Sequence, residues 1–544
     1  MFALTPMLLA VLAQSDDPIF VEVTGEALPG VTTTCGSPNK DWIMEVNGGG
    51  LALGDLDNDG DIDLVIVDGS TFERIEAGTI SLPPRVFLND GDGTFTKGGK
   101  GWTLPAGRWG TGAALGDVDG DGFLDLVVTN WGANKLYLNA AGQGFVDATH
   151  ACGLDGETWS TSAAFLDYDH DGHLDLYVTG YLVFDRKVTP PRGTNGCLWK
   201  GHSVMCGPEG LHAEGDRLYK GDGNGKFVDV TEAAGISAAT SGFGLGVMTL
   251  DADADGDTDL YVTNDSMPNF LWENQGDGTF KEVAFRRGVG HDNQGREQAG
   301  MGIACADWNH DGRPDLFVTN FSGESNVLYR SSRGMSFRER SGPMGLGGPS
   351  LTRLGWGTGF GDLNLDGHLD LFVLNGHVYP IADHPGTDTT YAQADQLFLG
   401  ASDRFHESVL AETRPRVSRA GALADLDRDG DLDLVALSVE GPVHVFRNET
   451  PKGRHWIAFA LEGGGANTFG LGARVELVFE EQHRWAEMRT SGGFQASVPA
   501  EVHFGLGTVD KLDAVVVHWP DGKQQRIEAP AVDQLHRIPE DTTR

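Results

Sequence analysis

The chain has 544 residues, with 79 Asp and Glu against 40 Lys and Arg, a formal charge of −39. That length requires two or more domains or one long repeat array, and 40% hydrophobic residues exclude general disorder. So acidic a chain is a poor partner for nucleic acid or an anionic membrane. It suits a self-repelling surface or carboxylates neutralised by bound cations.

Residues 1–14 open with the apolar run MFALTPMLLAVLA, read as a secretory signal peptide cleaved near Ala13. No Lys or Arg precedes the run, so an apolar N-terminal strand is the competing reading. No later window of 18 apolar residues occurs, so no transmembrane segment is expected. The expected location is secreted, either extracellular or periplasmic.

Residues 15–450 read as a repeat array. One loop recurs seven times, with Asp at position 1, Asp or Asn at 3, Asp at 5, Gly at 6 and Asp at 9, running into an apolar strand. The first copy supplies Asp55, Asp57, Asp59 and Asp63, the second Asp117, Asp119, Asp121 and Asp125, and the third Asp167, Asp169, Asp171 and Asp175. The fourth supplies Asp251, Asp253, Asp255 and Asp259. The fifth has Asp307, Asn309, Asp311 and Asp315, the sixth Asp362, Asn364, Asp366 and Asp370, and the seventh Asp425, Asp427, Asp429 and Asp433. Starts lie 50 to 84 residues apart, room for about four strands each. Small-residue strands such as GGGLALG precede the loops, as crowding round an axis demands. Gly-rich hairpins such as LNDGDGTF follow them. The last copy lacks a closing Phe-x-Asp-Val-Thr strand, and one stands at the N-terminus, from Phe20 to Thr24. This predicts an all-β fold, a seven-bladed β-propeller closed by its N-terminal strand.

Hard oxygen ligands at alternate positions around a Gly turn suit Ca²⁺, up to seven ions in all. An EF-hand would place Glu at position 12, where these loops hold Ile66, Val128, Val178, Val262, Val318, Val373 and Ala436. The sites are therefore strand–loop–strand. Two carboxylates about 5 Å apart repel by roughly 3 kcal/mol at an effective dielectric near 20. Seven loops repeating that penalty call for a counter-ion. Asn309 and Asn364 lower the charge of two loops and are expected to weaken them. His170, His173, His310 and His368 fall at non-ligand positions and are expected to face solvent.

An insertion after the third loop carries Cys197 and Cys206, read as a disulfide in an exported chain, with half a metal site or two free thiols as alternatives. Cys152 and Cys305 fall at core positions of the repeat, and Cys35 has no assigned role. From 451 to 544 about six alternating strands suggest a small C-terminal β-sandwich. Gln495, His503 and Asp521 within it read as turn and core residues.

The Asp-rich repeats resemble FG-GAP/VCBS repeats. VTNDSMPNFLWENQGDGTF, LGWGTGFGDLNLDGHLDLFVLNGHVYP, NTFGLGARVEL and SGGFQASVPAEVHFGLG resemble the cartilage-acidic-protein-like family with its C-terminal ASPIC/UnbV domain. The resemblance implies a secreted, Ca²⁺-binding, non-enzymatic protein. The expected role is binding, adhesion or scaffolding toward an extracellular protein or glycan, as a monomer. A lectin is one alternative, and an enzyme with a central-pocket site is another. No Gly-x-Ser-x-Gly, His-Glu-x-x-His or phosphate loop is present, although Asn264–Asp265 and Asn375–Gly376–His377 could line a site.

Overall fold

The computed structural model describes residues 18–541 except 79–81, 106, 155, 195, 240, 334–335, 411–413 and 452. The expected signal segment, 1–14, lies outside them. Six antiparallel four-strand sheets run in chain order, the second and third joined at one edge where Thr158 and Trp159 pair with Gly132 and Trp131. The first is Leu51–Gly54, Asp63–Ile66, Arg85–Asn89 and Phe95–Lys97. A seventh consists of Ser418–Ala424, Asp433–Ser438 and Gly441–Asn448, and its fourth strand, Phe20–Glu22, comes from the chain start. Phe20 pairs with Asn448 and Glu22 with Phe446. The innermost strands neighbour one another in order, and Ser418–Ala424 returns beside Leu51–Gly54. The architecture is all-β and propeller-like.

Small residues make this ring possible. A Cβ on Gly302 would lie 1.9 Å from the Trp356 carbonyl oxygen of the next inner strand, so no larger residue fits there. Each sheet packs its apolar face on the next. Leu53 and Leu64 of the first sheet, for instance, join Ala422 and Val435 of the seventh in one buried cluster.

Two further sheets follow. One has three strands, Val502–Gly507, His455–Glu462 and Leu535–Pro539. The other has four, Gln482–Glu487, Arg474–Phe479, Ala514–His518 and Gln524–Glu528. The strand Leu535–Pro539, which runs parallel to His455–Glu462, was not expected, because LHRIP shows no clean alternation. Apolar packing does not stop at residue 450. One cluster joins Ala114, Val127 and Phe165 of the ring to Ile457, Val475 and Trp519.

Candidate metal loops and the two ends of the ring

All seven acidic loops lie at one end of the sheets, between the first and second strand of each. Their backbone is shaped by the carboxylates themselves. In the first loop, Asp59 N donates to Asp55 Oδ1 at 3.1 Å, Gly60 N to Asp55 Oδ2 at 3.0 Å and Asp61 N to Asp59 Oδ1 at 3.0 Å. The ninth-position Asp is a latch. Asp63 accepts Leu56 N at 2.9 Å on one oxygen and Asn89 N at 2.9 Å on the other, tying the loop to the third strand. The Asn89 amide then donates to Leu426 O in the seventh loop at 2.8 Å. Asn139, Asn274 and Asn448 make the same link to Leu56, Tyr168 and Leu363. These asparagines stitch the first, second, fourth and seventh loops to the previous one. Their recurrence in the Leu-x-x-Asn hairpins was the sequence signal. In the third, fifth and sixth sheets Gly221, Ser331 and Gly400 stand there and make only the latch.

The structure gathers Asp55, Asp57 and Asp63, Asp117, Asp119 and Asp125, Asp167, Asp169 and Asp175, Asp251, Asp253 and Asp255, and Asp425, Asp427 and Asp433. Within each trio one oxygen per residue lies within 4.8 Å of the others. In the fifth and sixth loops the Asn side chains turn to neighbouring carboxylates. Asn309 Nδ2 donates to Asp315 at 2.6 Å, and Asn364 Nδ2 to Asp366 at 3.2 Å. At position 3, the Oδ1 atoms of Asp57, Asp119, Asp169, Asp253, Asp427 and Asn309 are buried with no hydrogen-bond partner among the described residues. A buried oxygen acceptor left unpaired at one position in six of seven loops fits a hard cation. Burial pushes Asp63, Asp125, Asp175 and Asp315 up to about 8, against the backbone N–H groups that favour their charged form.

Among the loop histidines only His170 is exposed, with Nε2 2.7 Å from Asp257. His173, His310 and His368 are half-buried, a correction to the solvent-facing expectation. His310 Nε2 donates to Gly367 O of the next loop at 3.1 Å, and burial pulls its pKa down to about 4.

The C-terminal sheets sit on the loop end of the ring. Thr468 Oγ1 donates to Asp117 at 2.5 Å, Arg454 to Asn364 O at 2.6 Å and Gly507 N to Leu365 O at 2.9 Å. His503 Nε2 donates to Gly430 O at 2.9 Å, and Arg428 of the seventh loop pairs with Glu501 at 2.9 Å. A cavity of about 630 Å³ remains between the two parts, bordered by Cys305, Trp456, Trp485 and Arg489. Cys305, expected in the core, is half-buried at this border, whereas Cys152 is buried as expected.

The segment Gly493–Ser497 enters the ring axis. Phe494 pairs with Gly246 of the fourth sheet, and Ala496 runs parallel to Leu51 of the first. Gln495, read from sequence as a turn or core residue, is fully buried on the axis at φ 53°. Its N–H donates to Ser162 Oγ at 2.8 Å and its carbonyl accepts Leu51 N at 3.1 Å. Asp521, by contrast, is a turn residue paired with Lys523 at 2.6 Å. Nothing in the local sequence announced the plug, because two-residue strands are created by the partners that flank them.

The opposite end is closed by Arg419, fully buried, whose guanidinium donates to the carbonyls of Val46, Gly376, Ser418 and His377 and lies 4.0 Å over Trp356. Asn264, Asp265, Asn375 and His377 lie at this end, and hydrogen bonds hold them in place. Asn264 Nδ2 donates to Pro268 O and Asn375 Nδ2 to Val373 O. Asp265 accepts Tyr181 Oη at 2.6 Å. His377 accepts Tyr379 N on Nδ1, so its Nε2 donates to Ser322 Oγ at 3.0 Å. Burial pulls His377 down to about 3 and keeps it neutral.

Cys197 and Cys206 form a disulfide, with Cα atoms 5.4 Å apart. It staples an insertion that crosses this end from the third sheet to the sixth. The Trp199 ring centre lies 4.6 Å from that of His377 with the rings tilted by 49°, and Lys200 pairs with Asp388. Closing so short a loop contributes about 2–3 kcal/mol. Replacing both cysteines by Ser is therefore expected to lower the melting temperature by only a few degrees while changing Trp199 fluorescence. Global unfolding of the double variant would contradict this local role. Cys35 is buried, its Sγ 3.9 Å from Met44 O.

Residues 55–128, 117–178, 251–318 and 307–373 match the family described as FG-GAP-like repeat, and residues 463–544 match ASPIC and UnbV. The chain is thus an FG-GAP repeat protein with a C-terminal ASPIC/UnbV domain. It is 29% identical to human cartilage acidic protein 1 over 309 residues, 54% of this chain and 43% of that protein. Against the Xenopus tropicalis protein it is 27% identical over 274 residues, 49% of this chain and 40% of that one. The chain spans less than half the length of these relatives. Similar solved structures include an Agrocybe aegerita lectin that recognises non-reducing terminal N-acetylglucosamine (TM-score 0.40, 15% identity, 68% of this chain and 88% of that one). Another is the BP39L lectin of Burkholderia pseudomallei (TM-score 0.42, 12% identity, 75% and 98%).

Proposed function

We propose that this chain is a secreted, calcium-binding, seven-bladed β-propeller with a C-terminal β-sandwich, and that it serves as a binding or scaffold module for an extracellular protein or glycan. The observation that carries the reading is the division of labour between the two ends. The acidic loops and the C-terminal sheets occupy one end, so the other is left for a partner. The unpaired position-3 oxygens support calcium in the loops. No described helix is long and apolar enough to cross a membrane. The disulfide supports an oxidising compartment.

At the free end the half-buried Trp42 and Trp131 pack on the buried Phe72 and Phe184, with ring centroids 5.4–6.3 Å apart. Arg108 lies 3.9 Å over Trp131, and Arg186 lies 4.4 Å over Phe72. The part-exposed indoles of Trp42 and Trp131 beside guanidinium donors suit the apolar face and hydroxyls of a sugar, or an aromatic-lined protein contact. A glycan array and a pull-down from the source's extracellular fraction separate the two. Binding that weakens at least tenfold in Trp131→Ala and persists in the exposed control Val228→Ala is expected. Equal binding by both variants would place the partner elsewhere.

A further inference from the structure

The next-to-last residue of each third strand, packed against the acidic loop of its own sheet, differs round the ring: Leu88, Leu138, Lys220, Glu273, Arg330, Leu399 and Arg447. The bases are seated on the loops. Lys220 Nζ contacts Asp169 and lies 2.9 Å from Asp171, bridging positions 3 and 5. Arg330 lies 3.4 Å from Asp311, which Arg313 of the same loop also meets at 2.7 Å, and Arg447 lies 3.3 Å from Asp427. Glu273 instead holds Arg287, which reaches Asp253 at 3.2 Å. The leucines bring no charge. In the first and sixth loops a base does arrive, from the C-terminal sheets: Arg537 meets position 1, at 3.5 Å from Asp55, and the Arg484 guanidinium lies against Gly367, where its charge favours the ionised form of Asp362.

We infer that the seven loops form two classes of calcium site. In the third, fourth, fifth and seventh loops a base of the ring itself pairs with the position-3 or position-5 carboxylate and serves as partial counter-ion, whereas the first, second and sixth, with no such pair among the described residues, depend on calcium. The inference rests on the calcium reading above and adds which loops fill first. In each case the base engages Oδ2, and in the third, fourth and seventh loops the buried Oδ1 of position 3 is left unpaired. The ion and the base therefore share a carboxylate, with the positive charge of the base one carboxylate away from the ion. Repulsion at that range weakens calcium. In calcium-free protein the same base relieves the crowding of carboxylates. A base at this one position thus trades calcium affinity for independence from the metal, and a Leu does the opposite. A side chain that merely orients its Asp for the ion would do the reverse and tighten binding.

Calorimetric titration of the full chain with Ca²⁺, on wild type, Lys220→Leu and Leu138→Lys, tests this. The expected wild-type isotherm has a tighter class and a class at least tenfold weaker. Lys220→Leu moves one site into the tighter class and lowers the melting temperature in EDTA. Leu138→Lys removes one tight site and raises that melting temperature. A Lys220→Leu isotherm like the wild type's, or weaker, overturns the inference while leaving calcium binding intact; if that variant does not fold, Leu138→Lys alone decides by the same criterion. A wild type that binds no calcium overturns the calcium reading and this inference with it.

Discussion

Chelation with EDTA is expected to lower the melting temperature by about 10 °C relative to 1 mM Ca²⁺. A site of about 10⁻⁴ M affinity, typical of extracellular modules, gains roughly 1.4 kcal/mol at that concentration. Seven filled loops would gain on the order of 10 kcal/mol, which for a cooperative unit of this size corresponds to about 1 °C per kcal/mol. The pH dependence should change sign as well. Without calcium, Asp63, Asp125, Asp175 and Asp315 hold their protons up to about pH 8, against an ordinary value near 3.8. The folded chain then binds more protons than the unfolded chain across that window. Stability from these groups is full below about 3.8 and lost as pH rises through 8. With calcium bound the carboxylates are held ionised, and stability is lost as pH falls instead. Scanning calorimetry from pH 5 to 8 in EDTA and in calcium reads both slopes. Parallel slopes and equal melting temperatures would refute a structural role for the ion.

Phe494→Ala is expected to destabilise the whole chain by about 3–5 kcal/mol, as for other fully buried aromatic residues. Phe494 has no exposed surface, and its ring centre lies 5.0 Å from that of Trp356, which in turn lies under Arg419. The substitution empties a place where strands of different sheets converge on the axis. Gly493 beside it has φ 79°, and a Cβ there would lie 2.1 Å from Ile303 O, so Gly493→Ala is expected to expel the plug altogether. Urea unfolding followed by tryptophan fluorescence measures the first. If the C-terminal sheets merely rest on the ring, Phe494→Ala will leave the ring transition where it was.

The repeat was legible because the loop is self-contained: carboxylates at alternate positions shape their own turn, and Gly closes it. The displaced strand Phe20–Glu22 was legible because its absence at the other end left an edge unpaired. His310 was misread because its environment is the sixth loop, more than fifty residues away. The plug was missed for the same reason. Phe494 and Gln495 look like ordinary turn residues until the inner strands of the first, third and fourth sheets surround them. Thr468 gives no sign in sequence that its hydroxyl meets Asp117. The contrast between Lys220 and Leu138 was visible in the aligned hairpins, but its meaning required knowing that this side chain faces the loop.

The most direct measurement for the account is the mass of the intact native chain after dialysis against calcium and gentle ionisation. The account predicts increments of whole calcium ions, at least three for the first, second and sixth loops and at most seven, with one increment lost in the paired variant Asp117→Asn and Asp119→Asn. A chain that flies at its bare mass would contradict it.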